Sequence, residues 1–158
     1  MSEAGALRSV HYNTNLLHQS VTAGSYDPWV NALQSSGHNS AVYRVGIIRS
    51  ILVTDGTAND WESVRASERY RMQLYRRFFE ESREGFGRSG EQSPKIWIVG
   101  DVDHCVEDIK NFVRSVGITD IVSTAVPPGM RAADMSDSLQ RLFTQVVPRV
   151  KHELAEAA

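Results

Sequence analysis

At 158 residues, 41% hydrophobic and 23% charged, the chain has the length of about one globular domain with a real core to bury. Seventeen Lys and Arg against nineteen Asp and Glu leave a net charge of −2, which excludes nucleic-acid binding through a broad basic face. No apolar run nears the ~18 residues of a membrane span and the start, MSEAGALRSV, lacks a signal pattern, so a soluble, cytoplasmic chain is expected.

Ser2 to Val10 predicts a short helix with Ser2 as its cap, and His11 to Leu17 a short strand. Asp27-Pro28 opens a helix over Tyr26 to Gln34, stopped by Ser35-Ser36-Gly37. Tyr43 to Val53 is nearly continuous in apolar, β-branched character and predicts a strand buried on both faces. A long helix from about Asp60 to Arg83 follows. Trp61, Val64, Tyr70, Leu74, Tyr75, Phe78 and Phe79 mark its apolar side. Gly85 to Pro94 is a polar loop, and Ile96 to Val99 a short buried strand ending at Gly100. Asp101 or Asp103 caps a helix whose Val102, Val106, Ile109, Val113 and Val116 form a core stripe. Gly117 ends that helix, and Ile118 to Val126 predicts another strand, broken by Pro127-Pro128-Gly129. Ser136 or Asp137 caps a last amphipathic helix, which Pro148 should kink or end. Strands alternating with helices in this way predict an α/β fold of parallel βα units.

Several local patterns have bland explanations. Gly85-Phe86-Gly87-Arg88-Ser89-Gly90 spells a dinucleotide fingerprint but follows a helix and precedes a strand, the reverse of the required context. Asp101, Asp103, His104 and Cys105 suit zinc by type. His104 and Cys105, adjacent on a helix, point about 100° apart and cannot share one ion. The lone Cys105 also excludes an internal disulfide. Asp55 to Asp60 lacks the alternating acids of a calcium loop, and no serine sits in a nucleophile elbow. The loops after parallel strands are different, because ligands bind there in open sheets and in barrels. They carry Asn15 and His18, then Thr54 and Asp55, then Pro127, Gly129 and Arg131. Ser2 at a helix N-terminus suits either a phosphate or a simple cap.

Val99-Gly100-Asp101-Val102-Asp103, the helix through Ile109 and Phe112, Gly117 to Val122, Pro128-Gly129-Met130 and Leu139 to Pro148 together resemble the C-terminal end of luciferase-like flavin-dependent monooxygenases. Arg44 to Val53 with the Trp61–Phe79 helix, and His11 to Gln19, resemble the elements before it. The resemblance implies part of a (β/α)8 TIM barrel, with too few strands to close alone, spanning residues 1–158 as a single domain segment. It implies reduced FMN supplied by a separate flavin reductase (a deazaflavin in some relatives), oxygen, and a small organic substrate. The N-terminal half of the barrel, with the family's usual catalytic positions, is expected to be missing. Ser2, at the tail of a serine-rich stretch, is the one residue matched to flavin-phosphate binding, and no catalytic residue is carried over. Unpaired sheet edges imply a homo-oligomer or association with such an N-terminal half. The alternative is a non-catalytic α/β binding or assembly module derived from the same fold.

Overall fold

The computed structural model describes residues 16–18, 27–35, 37, 44–79 and 97–156. They group into two compact units, one within residues 1–49 and 108–123, the other within 50–107 and 124–158. Among the described residues no helix is long and apolar enough to cross a membrane.

The first unit holds strand β1 (Leu16–His18), helix α1 (Asp27–Ser35), strand β2 (Val45–Ile48), the second half of helix α3 (Val102–Val116) and strand β5 (Asp120–Val122). The strands are parallel in the order β1-β2-β5, with Leu16 opposite Val45 and Gly46 opposite Asp120. Asp27 and Pro28 start α1 where charge and a fixed φ suit a first turn. Trp29, Ala32 and Leu33 then fall on one face at helical spacing. That face packs with Val45, Ile47 and Ile118 into one core, and Phe112, Val113 and Val116 close over it. Each large side chain buried there contributes roughly 1.5–3 kcal/mol. The near ends of β2 and β5 are pinned twice. Thr119 accepts the Val45 N–H at 2.9 Å through its hydroxyl, and the Arg44 guanidinium pairs with the Asp120 carboxylate.

The second unit holds strand β3 (Ser50–Val53), helix α2 (Ala58–Phe79), strand β4 (Trp97–Gly100), the first half of α3, helix α4 (Ala132–Arg141), a π-turn (Leu142–Val146) and helix α5 (Val147–Ala155). β3 and β4 are parallel, with Ser50 opposite Trp97 and Val53 opposite Gly100. Leu52, Val64, Trp97, Val99 and Met135 form its core, lined by Trp61, Met130 and Leu139. The polar end of Trp97 is satisfied by Glu68, whose carboxylate accepts the indole N–H at 2.8 Å.

Several expectations change in detail. The strand foreseen as continuous from Tyr43 to Val53 is divided at Arg49 into β2 and β3, which belong to different sheets. Of the first expected strand, the described residues show Leu16–His18, and His11 to Asn15 lie outside them. The α2 apolar side is narrower than its sequence suggested, because Tyr70 and Tyr75 are 46% and 38% exposed. Val64 is fully buried as expected, and Ser67 is buried one turn on, its hydroxyl donating to the Pro128 carbonyl at 2.7 Å. β5 covers three residues rather than Ile118 to Val126: Val122 is already 48% exposed, and the chain beyond it runs into the Pro127-Pro128 turn. α4 starts at Ala132, ahead of both Ser136 and Asp137, and Arg131 at its N-cap makes no side-chain cap bond. Pro148 does not end the helix. Lacking an N–H, it cannot complete an α-turn, and the preceding residues widen so that the Val147 N–H reaches the Leu142 carbonyl. The Ser2–Val10 helix, the Gly85–Gly90 motif and Asn15 lie outside the described residues.

Candidate functional site

The carboxyl ends of β3 and β4 adjoin each other, since the Thr54 N–H extends the ladder to the Gly100 carbonyl at 2.8 Å. The loop after β3 is built by short-range bonds. Asp60 accepts from the Thr54 hydroxyl at 2.5 Å, from the Thr57 N–H at 2.8 Å and from the Thr57 hydroxyl at 3.0 Å. This makes Asp60 the anchor of the strand-to-helix turn. The loop after β4 is the start of α3, where Asp101 caps by accepting the His104 N–H at 2.8 Å. Asp55 and Asp103, both largely exposed, each meet an arginine from the C-terminal helices. Arg141 donates to Asp55 at 2.5 Å and Arg149 to Asp103 at 2.6 Å. Hydrogen bonds to these carboxylates, followed by charge in the case of Arg141, hold both guanidinium pKa values above their ordinary range.

Of the loop residues singled out from sequence, Thr54 and Asp55 stand at the carboxyl end of β3 as expected. Pro127 is fully buried, Gly129 turns at φ +83° against Tyr70, and Arg131 is taken up by Asp134 at 2.8 Å. These three shape the turn into α4. Ser2 lies outside the described residues. Among the described residues no group of three or more His, Cys, Asp and Glu is placed to hold a metal ion. Cys105 is fully buried with its sulfur 3.6 Å from the Gly100 carbonyl, which gives it a packing role.

Sequence reasoning passed over three arginines. Arg49, at the carboxyl end of β2, is 3% exposed, donates to the Ile48 carbonyl at 2.8 Å and lies over the Phe112 ring at 4.7 Å. The signal was present: it is the one charge inside the apolar run Val45–Val53. Arg141 and Arg149 gave no local signal, because their partners lie 86 and 46 residues away in the chain.

No family model matches the sequence, and no curated protein matches it. Solved structures do. The chain is similar to the monooxygenase RslO1 from Streptomyces bottropensis, with a TM-score of 0.69 and 14% identity over 94% of this chain and 45% of that one. It is also similar to a type II Baeyer–Villiger monooxygenase in complex with FMN, the oxygenating constituent of 3,6-diketocamphane monooxygenase from the CAM plasmid of Pseudomonas putida. There the TM-score is 0.58, with 15% identity over 90% of this chain and 44% of that one. The chain thus spans less than half the length of the solved structures it matches. At such identities the likeness establishes the fold: an α/β arrangement of short parallel strands and helices, its sheets unclosed among the described residues, matching part of a TIM-barrel-like fold. Both neighbours are monooxygenases and one holds FMN, in line with the class and cofactor that the sequence resemblance implied.

The described loops can be tested against such a cofactor. A flavin phosphate needs N–H donors or cations. The ends of β3 and β4 offer Asp55, Asp101 and Asp103, while Arg141 and Arg149 are engaged by two of those acids. These loops do not fit the phosphate, and no step of the oxygenation is assigned to them.

Proposed function

We propose that the chain is part of a flavin-dependent monooxygenase of the luciferase-like kind, working on an organic substrate in the cytoplasm. The carrying observation is the fold match over 94% of the chain to one monooxygenase and over 90% to another that holds FMN. Bound reduced FMN supplies two electrons that, with molecular oxygen, place one oxygen atom in the substrate and the other in water. A separate reductase would return the flavin to its reduced state, and a deazaflavin is the other cofactor consistent with the resemblance. The phosphate belongs away from the acidic β3 and β4 loops, and Ser2 is the residue proposed to receive it. The carboxyl-end loops of the chain then serve as wall and water-excluding surface.

Among the described residues, β1 and β5 are the edges of the first unit's sheet and take no further strand. An unpaired edge favours completion by another chain. We therefore read the functional form as a single domain segment in a homo-oligomer or in a complex with strands of an N-terminal barrel half. The acid-rich loops also support a second reading, a non-catalytic α/β module derived from the same fold. Titration of oxidised and reduced FMN into the purified chain separates the two. Saturable binding that weakens severalfold in Ser2→Ala supports the monooxygenase reading. A colourless protein that binds neither form at high micromolar flavin supports the module.

A further inference from the structure

We infer that α4, the π-turn and α5 form an electrostatic strap that holds the loops after β3 and β4 in one conformation. This follows from the second unit alone and does not depend on the proposed flavin chemistry. Arg141 closes α4 and Arg149 lies in the first turn of α5, on either side of the π-turn. They are eight positions apart, and in an unbroken α-helix at ~100° per residue they would face about 80° away from each other. The wider π-turn accommodates one extra residue and sets the later residues back by about 100°, leaving the two positions about 20° apart around the helix axis. The buried face stays in phase through the same turn, as Leu142, Val146 and Val150 follow one another at spacings of four. One side of the rod is therefore fixed in the core while two aligned cations reach outward.

Each cation meets a different segment beyond the strands, the loop after β3 and the first turn of α3 after β4. Arg141 binds Asp55, two residues past the end of β3, and Arg149 binds Asp103, three past the end of β4. β3 and β4 are hydrogen-bonded neighbours, so one helical rod grips both loops at the end of the sheet where this architecture places ligands. Glu153, at 3.7 Å from the Arg149 Nε, steadies that arginine from its own helix. The pairs are exposed, so each contributes modestly and is screened by salt.

Residue-resolved hydrogen exchange on the full chain tests the strap. The reporters are the His104 and Cys105 amides at the start of α3, bonded to Asp101, and the Gly56 and Thr57 amides on the loop after β3. Arg149→Gln should raise exchange at His104 and Cys105 by about 1.4- to 5-fold, the range of an exposed ion pair, and leave Gly56 and Thr57 unchanged. Arg141→Gln should do the reverse. Asp103→Asn combined with Arg149→Gln should exceed neither single change, as expected for two partners of one contact. High salt should bring the wild type to the level of the variants. Unchanged exchange in Arg149→Gln and Arg141→Gln, effects that spread equally over both loops, or additive effects in the double variant would overturn the strap.

Discussion

Replacing Ser138 with alanine removes the acceptor from a buried backbone donor. The Thr54 N–H points from the strand toward β4, so the Val53 N–H points to the opposite edge. There it meets the Ser138 hydroxyl of α4 at 2.8 Å, with Val53 3% and Ser138 4% exposed. The helix thus covers one edge of β3 with a side-chain oxygen in place of a strand. Without that oxygen the N–H stays buried and unpaired, a loss of about 1–3 kcal/mol. Alanine's better helix propensity offsets roughly 0.5 kcal/mol, leaving a net destabilisation of about 0.5–2.5 kcal/mol. With a urea m-value of roughly 2 kcal/mol/M, the unfolding midpoint should fall by about 0.25–1.2 M at unchanged m. Ser136→Ala on the exposed side of the same helix isolates the propensity effect and should shift the midpoint slightly upward or not at all. If Ser138→Ala and Ser136→Ala gave the same midpoint, the edge-capping role of Ser138 would be refuted.

Three further outcomes follow from other parts of the chain. Val64 is fully buried among Leu52, Trp97 and Met135, so Val64→Ala should cost about 1.5–3 kcal/mol in the same urea experiment. Gly129 sits at φ +83° with Tyr70 atoms 3.1 Å from where a Cβ would stand. Gly129→Ala should therefore cost at least the ~1–2 kcal/mol of a left-handed residue, and a smaller loss in thermal melts would show that the turn relaxes freely. Hydrogen bonds from Arg44 and then Thr119 hold the Asp120 carboxyl below the usual carboxylate range. A depressed folded pKa stabilises above the unfolded value, and that contribution disappears as pH falls through the folded one. An NMR titration should place the Asp120 midpoint below that of a model peptide, and Arg44→Gln should move it upward. An unmoved midpoint would contradict the pairing.

Elements legible in the sequence are those held by short-range interactions. The α1 start at Asp27-Pro28, the stripe of α3 and the short β4 were legible because their signals are local: a cap, a helical period, a bounded apolar run. Arg49 stands out as one charge in an apolar run, but the Phe112 ring that accommodates its guanidinium comes from another element. Tyr70 and Tyr75 followed the helical period yet stand exposed, and Arg71 lies 5.7 Å over the Tyr75 ring. Periodicity cannot tell an amphipathic ring from a buried one. Pro148 was recognised as a helix disturbance, but whether a helix stops or widens depends on tertiary packing. Here Leu142, Val146 and Val150 stay buried through the turn. The candidate site was legible in its loop residues, Thr54 and Asp55, and illegible in the distant arginine that meets Asp55.

Flavin binding is the most direct test of the proposed function, because the chain shares its fold with part of two monooxygenases, one of which holds FMN. Purified protein titrated with reduced FMN under anaerobic conditions, followed by absorbance and equilibrium dialysis, gives the answer. The account predicts saturable, stoichiometric binding that Ser2→Ala weakens. Absence of binding at high micromolar flavin, from a chain that still unfolds cooperatively, would contradict it.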